Sequence, residues 1–329
     1  MRHALAALLL LATPTAAQQP LPSGVTPLEL QMPMDCTLGD DCFIQNYVDA
    51  EPGPDAKDFT CGPLAYDNHQ GTDFRTKNRA SLARPYHALA AAPGRIVQAI
   101  DGQPENGFDH VANPLSCGNA IMIDHGGGWT TQYCHLANGT VAVREGQAVA
   151  TGDRLAQVGS SGGTDYPHLH FAVRVQGAVI DPFTGVSPTG CTQPAATPLW
   201  AASAGVFHAE SAVLGFGVSA LEPTDDAIRN GRLAGAQPSG GAAPFYLWTR
   251  ILGARQGDSV RLIATGPGGP IASEVFAVNE DRTIFIAAIG LSPSDVGAAA
   301  WPSGAYEGRL ALYRNGQEIG TRQAGFSLP

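Results

Sequence analysis

The segment Pro167-His-Leu-His-Phe-Ala-Val173 places two histidines at alternate positions. On a β-strand successive side chains point to opposite faces, so His168 and His170 share one face, with Cα atoms about 7 Å apart. That spacing lets one imidazole bind a metal while the other faces a substrate beside it. Upstream, Asn68-His-Gln-Gly-Thr-Asp-Phe74 carries His69 and Asp73 four residues apart. A helix or a strand would present both on one side, and Gly71 with its turn-forming neighbours disfavours helix. Gln132-Tyr-Cys-His-Leu136 contributes His135, expected to point away from Cys134. Two imidazole nitrogens and one carboxylate oxygen make a catalytic zinc set that keeps a fourth position open for water. Zinc so held lowers the pKa of a water towards about 7 and polarises a carbonyl. The remaining histidines then suit acid–base work or the stabilisation of an oxyanion.

Taken singly, each histidine is better read as a hydrogen-bonded structural residue; it is the set in order that points to a metal. His69-x-x-x-Asp73, Tyr133-x-His135-Leu136 and His168-x-His170 together resemble the lysostaphin-like, LytM-type zinc metallopeptidases. The intervening text is similar too: Asp124-His-Gly-Gly-Gly-Trp129, Val143-Arg-Glu-Gly-Gln-Ala-Val149, Gly159-Ser-Ser-Gly-Gly163 and the closing Ile180-Asp-Pro182. The resemblance covers about residues 60–185. It implies His69, Asp73 and His170 as ligands of one zinc ion per chain. It places His135 and His168 beside the activated water and the carbonyl under attack. It further implies an antiparallel β domain with an open groove, and endopeptidase cleavage of peptidoglycan stem peptides or cross-bridges. Two other readings keep the same residues: a non-catalytic regulator of a cell-wall amidase, and a zinc protease acting on protein. The long 101–118 segment and the cysteines depart from the family pattern.

Competing motifs fare less well. Gly159-Ser-Ser-Gly-Gly163 fits G-x-S-x-G, but a nucleophile elbow needs a helix after the serine, and here Pro167 and a strand follow. His87 and His208 lack companion ligands, His125 sits in a glycine turn, and His110 lies on the long loop. Tyr133 suits the core as well as the site. Arg75 and Arg174 stand near the motifs and could grip substrate carboxylates, although solvated surface positions suit them better.

The elements that must position these residues read as short strands broken by glycine. They are expected at 94–100, 119–124, 129–135, 140–143, 154–158 and 169–175, with a hairpin turn at 125–128. After a Pro- and Ala-rich linker at 186–204, further strands are expected at 245–252, 259–264, 283–287 and 307–313. Asn315-Gly316 is a strong hairpin signal. The fold expected is mainly β: an antiparallel β-sheet metallopeptidase domain (61–185), then a small immunoglobulin-like β-sandwich (205–329). Residues 18–60 read as a mostly irregular arm.

The N-terminal MRHALAALLLLATPTAA has a basic start, an Ala/Leu core too short to span a bilayer, and a small-residue cleavage site, which is the pattern of a signal peptide at 1–17. Export, to the periplasm or the extracellular space, agrees with six cysteines, all before residue 192. Sequence does not choose among their pairings. Cys36–Cys42 closes a short loop, Cys117 and Cys134 flank a predicted hairpin, and those two pairs would leave Cys61 with Cys191. The 329-residue chain carries a formal charge of −10, which argues against nucleic acid as partner and against electrostatic docking on anionic lipid. The partner expected is therefore peptidoglycan or a peptide, with no membrane span; the oligomeric state is left open.

Overall fold

The computed structural model describes residues 21–329 except 23, 52, 106–116 and 192–196. The expected signal peptide at 1–17, His110, most of the 101–118 loop and part of the 186–204 linker lie outside the described residues.

The first strands in chain order are β1 (Cys42–Asn46), β2 (Thr72–Thr76), β3 (His87–Leu89), β4 (Gly94–Ile100) and β5 (Asn119–Gly126). They are followed by β6 (Trp129–Leu136), β7 (Ala148–Val149), β8 (Arg154–Gln157), β9 (His168–Val175) and β10 (Ala178–Ile180). One antiparallel sheet runs β1-β2-β9-β6-β5-β4-β7, with β10 also paired to β9. β3 and β8 form a separate antiparallel pair.

Period-two alternation explains why β9 sits centrally. Leu169, Phe171, Val173 and Val175 are buried on one face, while His168, His170 and Arg174 occupy the other. Phe74 on β2, Ile121 and Ile123 on β5 and Ile96 on β4 join the same core. Enclosing each such side chain stabilises the fold by about 1.5–3 kcal/mol. The turn at 125–128 is a hairpin as expected, with Gly126, Gly127 and Gly128 all at positive φ.

One expected strand is absent. Residues 140–143 form no strand; Val141 and Val143 pack on the core from irregular chain. The arm expected to be mostly irregular contains one strand, Cys42–Asn46, and its Leu30, Met34, Phe43 and Tyr47 are buried in the core. Trp200, read as linker, packs its ring against Phe74 and Phe171. All six cysteines pair, as Cys36–Cys42, Cys61–Cys191 and Cys117–Cys134.

The C-terminal part contains β11 (Ala212–Ser219), a short helix α1 (Asp225–Arg229), β12 (Phe245–Ala254), β13 (Ser259–Gly266) and β14 (Gly269–Ala277), then β15 (Arg282–Leu291), β16 (Gly304–Arg314) and β17 (Gln317–Leu328). Two antiparallel sheets, β11-β12-β15 and β14-β13-β16-β17, share one apolar cluster that includes Leu247, Ile251 and Ile289 from the first and Val260, Leu262 and Leu310 from the second. Asn315 and Gly316, both at positive φ, turn the chain between β16 and β17. β11, β14 and β17 are not foreseen in the sequence. β14 is largely exposed, and β17 is polar and broken by glycines, so neither shows a clean apolar alternation.

Asp181 follows β10 and is buried, its Oδ1 accepting the Phe183 N–H at 2.8 Å. Burial pushes its carboxyl up to about 7, and nearby Asp58 adds to the rise against the Phe183 hydrogen bond. Below about pH 4 the folded and unfolded chains both hold this proton, whereas between about 4 and 7 only the folded chain does. The group's contribution to stability therefore falls as pH rises through that window, by up to about 1.4 kcal/mol per pH unit. Urea unfolding at pH values across the window should show this slope in the native chain and a flatter one in Asp181→Asn; equal slopes would refute the assignment.

Candidate metal centre

Strand register assembles the centre. β2 pairs with β9 so that Asp73 stands opposite His170, and β1 pairs with β2 so that Asn46 stands opposite Asp73. His69 lies before β2 rather than on it. The chain turns at Asn68, in the left-handed region at φ 62°, and passes Gly71 before the strand begins. A Cβ at Gly71 would fall 2.7 Å from the Cε1 and Nε2 atoms of His170, so only glycine lets this turn lie against that ring.

His69 Nε2 is 3.1 Å from both Asp73 Oδ1 and His170 Nδ1, and His170 Nδ1 is 2.9 Å from Asp73 Oδ1. Ligand atoms held tetrahedrally at about 2.0–2.1 Å from one ion stand about 3.3 Å apart, so this triangle fits a zinc-sized ion with small adjustments. His69, Asp73 and His170 could thus hold a metal. The cluster of Cys36, Asp41 and Cys42 offers no thiolate, because its cysteines form a disulfide.

Backbone carbonyls set the tautomers of the other ring nitrogens. A carbonyl only accepts, so Nδ1 carries the proton where it faces Tyr47 O in His69 (2.6 Å), Ser161 O in His135 (2.8 Å) and Tyr166 O in His168 (3.0 Å). In the neutral rings this leaves Nε2 as the lone-pair nitrogen. His168 Nε2 lies 3.5 Å from Asp73 Oδ1. The His135 ring centroid is 4.6 Å from that of His168 and 6.0 Å from that of His170. His135 itself sits at φ 59°, a conformation that costs a non-glycine residue about 1–3 kcal/mol and turns its ring out of the regular strand pattern.

The charges are strongly coupled. Burial pushes the Asp73 carboxyl up, but the His69 and His168 charges and the hydrogen bonds from His168 and His170 outweigh it and hold Asp73 well below the usual carboxylate range. Burial pulls His170 down, which favours the neutral, lone-pair form. Burial, followed by the His168 and His170 charges, pulls His135 well below its ordinary value. His69 is raised instead: burial lowers it, but the Asp73 carboxylate and the hydrogen bonds to Asp73 and Tyr47 prevail.

Three supporting residues are missed by sequence reasoning. Asn46 Nδ2 donates to Asp73 Oδ2 at 2.8 Å, and the Tyr166 hydroxyl donates to the same oxygen at 3.3 Å. Burial, then the Asp73 charge, pushes the Tyr166 phenol up, so it stays a donor. Thr164 Oγ1 lies 3.0 Å from His168 Nδ1, and the Tyr166 ring stacks on His168 at 4.4 Å. Tyr166 stands two residues before His168, a spacing that could have flagged it. Nothing local marks Asn46, which only the pairing of β1 with β2 brings in. A cleft of about 320 Å³ opens beside these groups, walled by Asn46, Tyr66, Thr164 and Tyr166, with Thr283 of β15 at its edge. Asp165, on the same loop, pairs with Arg229 of α1 at 3.3 Å.

The remaining candidates have other duties. Arg75 is neither solvated nor open to substrate. It is 2% exposed, donates to Thr76 O and Gln45 Oε1, and lies 4.6 Å from the Tyr166 ring centroid. Arg174 donates to Gln132 and Gln70. Tyr133 belongs to the core, where its hydroxyl accepts the Ala91 N–H. Ser161 is buried and donates to Leu136 O, which agrees with rejecting a serine nucleophile. His87 pairs with Asp35, His125 bridges Pro93 O and Thr131, and His208 packs on Tyr47 and Phe59.

Comparison with known proteins bears on this arrangement. The chain is 39% identical over 100 residues to the cell division protein DipM of Caulobacter vibrioides, covering 30% of this chain and 14% of the relative. It is 38% identical over 113 residues to the peptidoglycan DD-endopeptidase ShyB of Vibrio cholerae, covering 34% and 22%. It is 36% identical over 94 residues to the murein hydrolase activator NlpD of Escherichia coli, covering 29% and 21%. The chain thus spans well under half the length of these curated relatives. Residues 67–182, which hold the three converging ligand atoms and both further histidines, match the model of peptidase family M23, so this chain carries an M23 peptidase domain.

Proposed function

We propose that the protein is an exported zinc-dependent endopeptidase that hydrolyses peptide bonds of peptidoglycan. The observation that carries this reading is the triangle of His69 Nε2, Asp73 Oδ1 and His170 Nδ1, with the lone pairs of His135 and His168 close by. When bound there, zinc supplies Lewis acidity that activates a water and polarises the peptide carbonyl. His135, which burial keeps neutral, would accept the proton released by the attacking water and return it to the leaving amine, with the His168 ring beside it. Asn46 and Tyr166 hold Asp73 Oδ2, which turns Oδ1 towards the two ligand imidazoles.

Export is supported by the leader-like N-terminus and by the three disulfides. No helix among the described residues is long and apolar enough to cross a membrane. We read residues 61–185 as the catalytic unit, 18–60 as an arm that supports its edge, 186–204 as the connection, and 205–329 as a small immunoglobulin-type sandwich. A regulator of wall hydrolases is the second reading, since one relative is named a murein hydrolase activator. The complete set of five site residues favours catalysis.

A digest of purified peptidoglycan, analysed by mass, tests the reading and identifies the bond. The native chain should hold about one zinc ion and release new peptide ends, and His170→Ala should lose both properties. His135→Ala should retain zinc while kcat falls by about 10²–10⁴-fold. Full activity in His170→Ala or in the chelated protein would sink the proposal. A zinc-free native protein that stimulates an amidase would establish the regulator. Asn46→Ala should weaken zinc binding by about 10–100-fold in chelator competition, with the metal-free chain equally stable; unchanged affinity would remove Asn46 from this role.

A further inference from the structure

A cavity of about 370 Å³ lies apart from the metal centre, where β11, β12, α1 and β17 meet the chain around Phe43 and Lys77. Its size falls at the lower end of small-molecule sites. Phe216 and Trp248 provide aromatic wall, and Gly215 lets the Trp248 ring lie against β11, since a Cβ there would fall 2.9 Å from that ring. Lys77, Arg250 and Arg322 line it against a single carboxylate, Asp40, which stands 3.9 Å from Lys77. The lining thus holds three cationic side chains in a chain of formal charge −10, with Arg250 buried and Lys77 and Arg322 nearer the surface.

Arg250 is the informative residue. It is 4% exposed, and its Nε and Nη1 have no hydrogen-bond partner among the described residues. Its nearest carboxylate, Asp225, is 3.8 Å from Nη2 and itself half exposed. The Trp248 indole N–H is likewise buried with no hydrogen-bond partner among the described residues. A second buried guanidinium, Arg75, feels the first: burial, then the Arg250 charge, pulls Arg75 down to about 10. An under-compensated buried cation with unmet donors is costly unless an anion completes it.

We infer that this cavity is a binding site for a small carboxylate with an apolar or sugar body, held by Arg250 with Lys77 and Arg322 and packed against Trp248. A guanidinium matches a carboxylate in shape and donor number. The aromatic and glycine walls suit an uncharged body, and Asp40 at the mouth disfavours a compact dianion. The cavity shares no lining residue with the cleft beside the candidate metal centre. Peptide C-termini and sugar acids share this chemistry.

The test is calorimetric titration of the native chain, with tryptophan fluorescence alongside. The probes are N-acetyl-D-alanine and N-acetylmuramic acid, with N-acetyl-D-alaninamide and N-acetylglucosamine as uncharged counterparts and inorganic phosphate as a compact anion. At least one acid should bind saturably, about tenfold or more tighter than its uncharged counterpart. Which acid binds tells peptide from sugar. Arg250→Gln should weaken that binding about tenfold or more. Lys77→Gln, at a half-exposed rim position, should weaken it measurably with the fold intact, and so decides the matter if Arg250→Gln does not fold. Binding of neither acid, equal binding of the uncharged counterparts or of phosphate, or binding indifferent to both substitutions would overturn the inference. Zinc content and wall digestion are read separately, so a failure here leaves the zinc reading untouched.

Discussion

The site rests on the antiparallel register of three strands. β9 is fixed in the sheet because one of its faces is a continuous apolar set, Leu169 to Val175, and a slip of one residue would carry that set out of the core. With β9 fixed, Asp73 is placed opposite His170 by β2, and Asn46 opposite Asp73 by β1. A lateral row of amide donor, carboxylate and imidazole thus follows from hydrophobic pairing on the opposite face. The packing that stabilises the sheet also sets the spacing of the polar atoms.

Within that frame, hydrogen bonds decide which atoms face the cleft. Carbonyls of Tyr47, Ser161 and Tyr166 take the Nδ1 protons of three histidines, so each neutral ring presents its Nε2 lone pair. Asn46 and Tyr166 occupy one oxygen of Asp73 and leave the other to the imidazoles. Such a concentration of lone pairs around one buried carboxylate repels itself unless a cation or proton sits among them. The opposed shifts of His69 and His170 express that same imbalance.

Segments outside the M23 match take part in this support. The arm supplies Asn46 and closes the sheet edge, and Tyr47 lends both a core ring and the carbonyl that orients His69. Cys61–Cys191 ties the start of the domain to the chain beyond β10. From the C-terminal sheets, Arg229 pairs with Asp165 on the loop that carries Thr164 and Tyr166. The candidate centre is therefore held from both sides by chain outside the matched domain.

Local spacing and period-two alternation made legible the His69, Asp73 and His170 group that the structure brings together and the strands β4, β5, β6, β8 and β9, whereas the cysteine pairing was open until the tertiary structure closed it. The sequence also showed that the serine motif lacked its helix. It did not reveal Asn46, the burial of Arg75, the order of the sheet or the charged cavity beside Arg250. Each of these arises where residues far apart in the chain meet, and no local pattern encodes such a meeting. β14 and β17 escaped notice for a related reason: exposed strands are held by pairing with a neighbour, not by an apolar rhythm of their own. Side-chain chemistry and short-range periodicity named the candidate groups. Strand register and long-range burial decided which of them touch, and which charges are left needing a partner.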